Sequence, residues 1–158
     1  MIINTKIGKL CISCKNNNLV QLKYTDALTP IEQQNTHIDV QVAQQLKAYF
    51  QNAKFVFDLP LAISGTPLQQ DIWLHIAAIP CGQILTYGQL AKMLNTSARV
   101  IGNACRSNPI PIIIPCHRVV AKNHLGGYCG PSQIGLKRKQ WLLQHESQSI
   151  LDASTQNR

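Results

Sequence analysis

The chain has 158 residues, a formal net charge of +8 and 45% hydrophobic residues, a composition typical of one or two folded domains. It contains no run that approaches the roughly 18 uninterrupted apolar residues of a membrane span. Its first residues, 1–6, lack the apolar run and cleavage site of a secretory signal. We therefore expect a protein of the cell interior that makes no use of a membrane.

Residues 1–62 predict a small N-terminal domain of sheet and helix. Two strand-like runs, Lys9 to Cys14 and Leu19 to Tyr24, flank turn-prone asparagines, which indicates a β-hairpin. Apolar side chains then follow a helical spacing over Ile38 to Gln51. The residues expected on the buried face of this helix are Val40, Ala43, Leu46, Ala48 and Phe50.

A second domain is predicted over 63–147, and it begins with three capped helices. A capping box at Thr66 starts a helix that should reach Ile79, and another at Thr86 starts a short helix to Leu94. Ser97 then caps a helix to about Arg106. Two short helices joined by a tight turn predict a helix-turn-helix, whose second helix commonly enters a DNA groove.

The second helix of this motif has one face suited to nucleic acid. This face contains Arg99, Gly102, Asn103 and Arg106, at spacings that bring them together. Arginines and an amide can contact phosphates, and a glycine lets a duplex approach closely. The alternative is an ordinary amphipathic helix with a solvated face.

The remaining elements are a buried strand, a loop and a helix. The strand is predicted at Ile112 to Ile114, and the glycine-containing loop runs from Lys122 to Gly135. The helix should span Leu136 to His145 and present Lys137, Arg138 and Lys139 to solvent. Residues 148–158 read as a polar tail.

Charge is distributed unevenly along the chain. The segment between Ile72 and His145 contains eight basic residues and no Asp or Glu, whereas the part up to Pro60 is nearly balanced. A block with one sign of charge repels itself unless a polyanion binds it. Nucleic acid is the usual polyanion, so we favour it over a merely solvated basic surface.

Six cysteines are interpreted as free intracellular thiols, because nothing else in the chain is typical of a secreted protein. Cys11 and Cys14 have the spacing of half a zinc site, but no second close pair completes it. We therefore expect no metal and no cofactor. Cys81 and Cys105 are assigned to packing.

Cys116 is the candidate nucleophile. It lies in Pro115-Cys116-His117-Arg118, where His117 could accept its proton and Arg118 adds positive potential. A histidine base needs a group that orients it, and Glu146 is the one carboxylate that the second domain offers after Ile72. This pattern predicts an ionised sulfur. The alternative is a structural cysteine beside a surface histidine.

The run from Asn108 to Val120, with Cys116-His117 at its centre, resembles the signature of the O6-alkylguanine-DNA alkyltransferases. The similarity covers Phe57 to Glu146, while the earlier segment matches only in general layout. Further motifs that carry it are Gly65-Thr66-Pro67, Thr86 to Ala91, Arg99 to Gly102, Gly127-Tyr128 and Trp141 to Leu143 with His145-Glu146.

The resemblance implies an α+β fold with a small ribonuclease-H-like α/β domain and a mostly helical domain that carries the helix-turn-helix. It implies irreversible, single-turnover transfer of an alkyl group from O6-alkylguanine in double-stranded DNA, with O4-alkylthymine as a further candidate, to Cys116. The target nucleotide must leave the stack first, which costs a few kcal/mol. The same resemblance implies a monomer in the cytoplasm, associated with the nucleoid if the cell is bacterial.

The resemblance also implies roles for the matching residues. His117 would be the base that acts through water, Glu146 its partner, and Asn108 a brace for the turns around the site. Tyr87 would help to rotate the nucleotide and donate a hydrogen bond to the departing base, and Arg99 would fill the space left in the duplex. Other DNA contacts are expected from Thr86, Gly102, Asn103 and Arg106, and the substrate pocket from Arg118, Val119, Tyr128 and Cys129.

The chain departs from the family pattern in three places. Cys129 stands where a small or hydroxyl residue is usual, which puts a side-chain contact to the substrate oxygen in doubt. Pro131 to Ile134 looks like extra length in the active-site loop, and Cys81 replaces a frequent tyrosine.

Three other functions are compatible with parts of the sequence. A non-catalytic damage binder would keep the fold, but the presence of Cys116 argues against it. A cysteine hydrolase would use Cys116 and His117, but it leaves the acid-free basic block unexplained. A transcription regulator would use the helix-turn-helix and bind a specific sequence rather than a lesion.

Overall fold

The computed structural model describes residues 1–28, 35–129 and 132–156, with side chains up to residue 148. The chain forms two compact units, Met1–Ser64 and Gly65–Arg158. Among the described residues, no helix has both the length and the apolar character needed to cross a membrane.

Unit 1 is a three-stranded antiparallel sheet with one helix. Strands β1 (Ile2–Thr5), β2 (Gly8–Lys15) and β3 (Asn18–Thr25) are ordered β1-β2-β3. The turn between β2 and β3 has positive φ at Asn16 and Asn17, which a two-residue hairpin turn requires and asparagine tolerates. The predicted hairpin is confirmed, whereas β1 was not predicted because its four residues are too short to show a pattern.

Helix α1 (His37–Gln51) packs on this sheet through a face that differs from the predicted one. Val40, expected in the core, is 40% exposed. The sheet contributes Leu10, Ile12, Leu19 and Leu22 to the core, and the helix contributes Ile38, Val42, Leu46, Tyr49 and Phe50. The prediction was wrong at Val40 because apolar residues on both sides of the helix allow more than one helical register.

Unit 2 is mostly helical. Its helices are α2 (Pro67–Ala77), α3 (Tyr87–Met93), α4 (Ala98–Arg106) and α5 (Gln133–Gln156). The capping boxes at Thr66 and Thr86 and the cap at Ser97 are present as predicted. Helices α3 and α4 are consecutive and in contact, as in a helix-turn-helix.

A short parallel strand pair positions the site in unit 2. Strand β4 (Leu85–Thr86) pairs with β5 (Val119–Val120), and Leu85 lies opposite Val119. Because Tyr87 follows β4 and Cys116 comes just before β5, this pairing brings the start of α3 to the turn that contains Cys116. Trp73 links α2 to α4, because its indole Nε1 donates a hydrogen bond to Ala104 O at 2.8 Å.

Two sequence predictions in this unit were wrong. Residues Ile112 to Ile114 do not form a strand, because Ile112 has φ of 75° and the segment makes a tight turn closed by a bridge between Pro111 and Ile114. Helix α5 begins at Gln133, so Gln133 and Ile134 belong to its first turn rather than to a loop. It also continues through most of the polar tail to Gln156, while Pro131 lies outside the described residues.

Candidate active site

Cys116 is the first residue of a 3-10 turn, Cys116–Arg118, and hydrogen bonds of Asn108 hold the segment that precedes it. The Asn108 amide donates from Nδ2 to Ile114 O at 2.8 Å, and its Oδ1 accepts from the Ile110 backbone at 2.9 Å. These two bonds bridge the turns on either side of Pro111. Asn108 therefore fixes the backbone that presents Cys116, and it also hydrogen-bonds to the thiol.

His117, Glu146 and Arg118 form a buried network next to the thiol. The Nε2 atom of His117 lies 2.7 Å from Glu146 Oε1. Arg118 donates from Nε and NH2 to the two oxygens of the same carboxylate at 3.0 and 2.9 Å. His117 and Glu146 are both fully buried, so this pairing is shielded from water.

The network determines which nitrogen of His117 carries the proton. Burial alone would raise the pKa of Glu146, but the bonds from His117 and Arg118 outweigh it and lower the pKa to about 2. Burial lowers the pKa of His117, so its ring is neutral at pH 7. An ionised carboxylate can only accept, which assigns the proton to Nε2 and leaves Nδ1 as an acceptor. Within the described part of the chain, this buried Nδ1 has no hydrogen-bond partner.

The thiol itself is not ionised in the free protein. Burial raises the pKa of Cys116, and the opposing effects of the Asn108 hydrogen bond and the Lys139 charge are smaller. The sequence-based hypothesis of a standing thiolate is therefore wrong, because the side chain is almost completely removed from water. A reaction at this sulfur therefore needs a base, and Nδ1 of the neighbouring His117 is an available acceptor.

Cys116 is buried but not sealed, because it lines a cavity of about 490 Å³. Seven residues predicted for the pocket, the chemistry or DNA contact share this lining: Tyr87, Arg99, Gly102, Arg106, Cys116, Tyr128 and Cys129. The lining also includes residues that the sequence did not single out for the site: Ala98, Cys105, Ala121, His124, Gly126 and Gly127.

Three predicted contact residues have other positions. Val119, expected in the pocket, is fully buried in β5. Arg118 is turned toward Glu146 and the Ile79 carbonyl instead of the cavity. The Thr86 hydroxyl accepts from the Gln89 backbone as the N-cap of α3, although Thr86 also borders a cleft with Lys122.

The predicted face of α4 is open to solvent. Arg99, Asn103 and Arg106 are exposed, while Ile101 and Ala104 are buried on the other side. A Cβ added at Gly102 would meet nothing within 4 Å, so packing within the protein does not require this glycine. Because Arg99 and Arg106 also line the Cys116 cavity, the basic face and the thiol share one opening.

Tyr87 and Tyr128 enclose the cavity. The Tyr128 ring meets the His117 ring edge-on, with 6.4 Å between centroids. Gly126 has φ of 75°, and a Cβ there would come within 2.7 Å of the Tyr87 hydroxyl, so only glycine fits. Burial raises the pKa of Tyr87 to about 12, so its hydroxyl keeps a proton that it can donate.

Lys139 is the site residue that sequence reasoning missed. It was expected in solvent, but it is fully buried, and its Nζ donates to Val119 O at 2.6 Å and to Gly127 O at 3.0 Å. Burial lowers its pKa to about 8. Lys139 therefore ties the cavity loop to β5 and brings positive charge near Cys116. A lysine that ends a run of three basic residues gives no sequence signal of burial.

Replacing Lys139 by methionine is expected to lower stability by about 1–3 kcal/mol, because the buried Val119 carbonyl and the partly buried bond to Gly127 O lose their donor. The rate at which the Cys116 sulfur reacts is expected to fall by about tenfold, because the lysine charge that favours the thiolate is lost. Thermal unfolding and single-turnover kinetics measure these effects. Lys137→Met is the control, because Lys137 is exposed on the same helix. Equal effects of Lys139→Met and Lys137→Met would contradict the role of Lys139 as a buried hydrogen-bond donor.

No cluster of His, Cys, Asp or Glu able to hold a metal occurs among the described residues. Cys11 and Cys14 lie in β2 of unit 1. The site in unit 2 thus consists of a thiol, a base and its carboxylate, and a cavity bordered by tyrosines and arginines.

Comparison with known proteins assigns both units. Residues 67–148 match the family model described as "6-O-methylguanine DNA methyltransferase, DNA binding domain". Residues 1–63 match the model described as "6-O-methylguanine DNA methyltransferase, ribonuclease-like domain". The implied fold class, with a small ribonuclease-like domain and a helical domain, is confirmed.

Individual relatives agree with this assignment. A methylated-DNA–protein-cysteine methyltransferase of Shigella flexneri is 44% identical over 114 residues, which cover 70% of this chain and 64% of that protein. A probable enzyme of the same name from Acanthamoeba polyphaga mimivirus is 35% identical over 155 residues, 94% of this chain and 96% of the relative. The crystal structure of Mycobacterium tuberculosis OGT in complex with DNA is 30% identical with a TM-score of 0.77, and the match covers 94% and 92% of the two chains. The chain belongs to the 6-O-methylguanine DNA methyltransferase family.

Proposed function

We propose that the protein repairs duplex DNA by moving the alkyl group of O6-alkylguanine onto its own Cys116. The observation that carries this proposal is the tautomer of His117: Nε2 is committed to Glu146, so Nδ1 is an acceptor beside a thiol that lines an open cavity. A thiol that must lose its proton only when substrate arrives needs such a base.

The reaction breaks one bond and forms one bond. The Cys116 sulfur attacks the alkyl carbon in line and forms a thioether while the O6–carbon bond breaks and guanine departs. The thiol proton moves to Nδ1 of His117, directly or through water, and the imidazolium is stabilised by Glu146. The guanine leaves as an anion to which the Tyr87 hydroxyl, which stays protonated, donates a hydrogen bond. The proton that the imidazolium then releases neutralises the guanine, so the thiol proton ends on the base.

The product limits the protein to one turnover. A dialkyl thioether carries no good leaving group, so no step of this chemistry regenerates the free thiol. One molecule is therefore consumed for each lesion, and the protein acts stoichiometrically rather than as a repeated catalyst.

Helix α4 supplies the contact with DNA. Its exposed arginines and amide are available to phosphates, and Gly102 leaves room for a duplex. The solved Mycobacterium tuberculosis relative is in complex with DNA, which supports this assignment. A flipped nucleotide would enter the cavity past Arg99. The protein would act as a monomer in the compartment that holds DNA, the cytoplasm and the nucleoid in a bacterium.

Arg99→Ala is expected to slow repair of O6-methylguanine in duplex DNA by about 10- to 100-fold, because the extruded base loses the side chain that fills its place. Attack on free O6-benzylguanine should change less than about threefold, since no base has to be extruded. Single-turnover rates on the two substrates give the comparison. Similar losses on both would exclude a role for Arg99 in base extrusion.

The experiment that tests the proposed function is the intact mass of the protein after incubation with duplex DNA containing O6-methylguanine. We expect a gain of one methylene mass per molecule, and no gain with the same duplex containing guanine. Lesion-dependent binding without any mass gain would favour a damage-binding protein. Turnover of small esters or amides would favour a hydrolase, and binding that depends on sequence rather than on the lesion would favour a regulator.

A further inference from the structure

The cavity that contains Cys116 carries two additional thiols. Cys105 lies on α4, and Cys129 lies between β5 and α5, shortly after Gly126 and Gly127; both line the same cavity as Cys116. All three cysteines are free. The alkyl transfer proposed above uses one sulfur, so the chemistry of the other two is unassigned.

Both thiols are protonated at neutral pH, as Cys116 is. Burial raises the pKa of Cys105 to about 12, with the charge of Cys116 as the next cause. The pKa of Cys129 is raised by the same two causes in the same order, burial by the surrounding protein and then the charge of Cys116, although the residue keeps an exposed surface. Cys116 differs from both thiols in having His117 as its neighbour in the chain, with Nδ1 available as a base.

The two thiols differ in their freedom to move. A disulfide requires Cα atoms about 4.4–6.8 Å apart and Cβ atoms that face each other, so one partner has to adjust. Cys105 is held in α4, and the carbonyl of the preceding residue, Ala104, accepts a hydrogen bond from the Trp73 indole. Cys129 is an exposed loop residue with φ of 49°, and two glycines precede it closely. The loop residue Cys129 is therefore freer than the helix residue Cys105 to move its thiol toward Cys116.

We propose that Cys129 is a resolving thiol for Cys116, and that hydrogen peroxide converts the two into a reversible intramolecular disulfide. One sulfur attacks the peroxide, becomes a sulfenic acid, and hydroxide leaves. The second sulfur then attacks the sulfenic sulfur, which forms the S–S bond and releases the oxygen as water. The two thiols lose two electrons and two protons in total, and one peroxide becomes two waters.

The consequence for repair rests on the proposed function. The disulfide removes the alkyl acceptor, so the oxidised protein cannot repair DNA. It also keeps Cys116 from advancing to sulfinic and sulfonic acids, which thiols do not reverse. A protein that can use its acceptor only once would then retain it through oxidative stress.

The test treats the full chain with hydrogen peroxide, blocks the remaining thiols with iodoacetamide and maps disulfides by tandem mass spectrometry. We expect a Cys116–Cys129 peptide pair lighter by two hydrogen atoms. Methyl transfer should fall by about tenfold or more and return with dithiothreitol. The matched variants are Cys129→Ser, Cys105→Ser and Cys81→Ser, each compared with its own untreated activity.

Cys105→Ser and Cys81→Ser should recover like the wild type, whereas Cys129→Ser should lose transfer and not regain it. Recovery of Cys129→Ser, a disulfide from Cys116 to Cys105, or loss of transfer without any Cys116 disulfide would overturn the proposal. If the untreated protein transferred no methyl group, the proposed function would fail, but the disulfide map would still decide the role of Cys129.

Discussion

Replacing Cys116 by alanine is expected to abolish methyl transfer while leaving the affinity for a duplex with O6-methylguanine within about twofold of the wild type. The change removes the atom that forms the new bond to carbon. Neither Cys105 nor Cys129 is expected to take its place, because the proton acceptor His117 directly follows Cys116 in the chain. The arginines proposed to contact DNA lie on α4, which the substitution does not touch.

Two measurements separate chemistry from binding. Intact mass after incubation with the methylated duplex reports transfer, and fluorescence anisotropy reports affinity. Cys81→Ala is the matched control, because it removes a half-buried thiol in the same unit and should transfer at the wild-type rate. Residual transfer in Cys116→Ala, mapped to another cavity cysteine, would contradict the assignment of the acceptor.

Glu146→Gln is expected to slow transfer by about 10²- to 10⁴-fold, the usual contribution of a positioned acid–base pair. A glutamine amide can donate to Nε2 of His117, which would move the ring proton to Nδ1 and remove the acceptor for the thiol proton. The same change leaves the Arg118 guanidinium without its carboxylate. Single-turnover kinetics on duplex and on free O6-benzylguanine should show equal losses, because the base serves both substrates.

The same carboxylate makes stability depend on pH. The pKa of Glu146 is about 2 in the folded protein and 4.5 ordinarily, so its contribution is complete above pH 4.5 and is lost as pH falls toward 2. The neutral, buried His117 also makes the folded state less stable in acid, because the unfolded chain takes up a proton there below its ordinary pKa of 6.5. Denaturant unfolding measured from pH 7 to 3 should show a smaller loss of unfolding free energy in Glu146→Gln than in the wild type. If Glu146→Gln and the wild type lost stability identically over this pH range, the network would not be lowering the pKa of the carboxylate.

Local sequence signals predicted the parts of the fold that depend on neighbouring residues. The caps at Thr66, Thr86 and Ser97 are side chains bonded within one helical turn, so the sequence alone identifies them. The asparagine turn between β2 and β3 is equally local. The pairing of β4 with β5 joins residues far apart in the chain, and two-residue strands carry no pattern, so it was missed.

The residues of the site also divide into those with a local sequence signal and those that depend on contacts between distant parts of the chain. Cys116 and His117 are adjacent and belong to one motif, and Glu146 followed from the lack of other carboxylates in that part of the chain. The state of the thiol could not be predicted, because it depends on burial by elements from the whole unit. Lys139 was misplaced for the same reason: its partners are carbonyls of Val119 and Gly127, and backbone acceptors have no sequence signature.

The identity of the acceptor can be tested directly by tandem mass spectrometry of the protein after one turnover on a duplex with O6-methylguanine. Fragment ions should place a single methyl group on the sulfur of Cys116 and leave Cys105 and Cys129 unmodified. A methyl group on either of those two thiols, or on a nitrogen of His117, would show that the nucleophile has been assigned to the wrong atom.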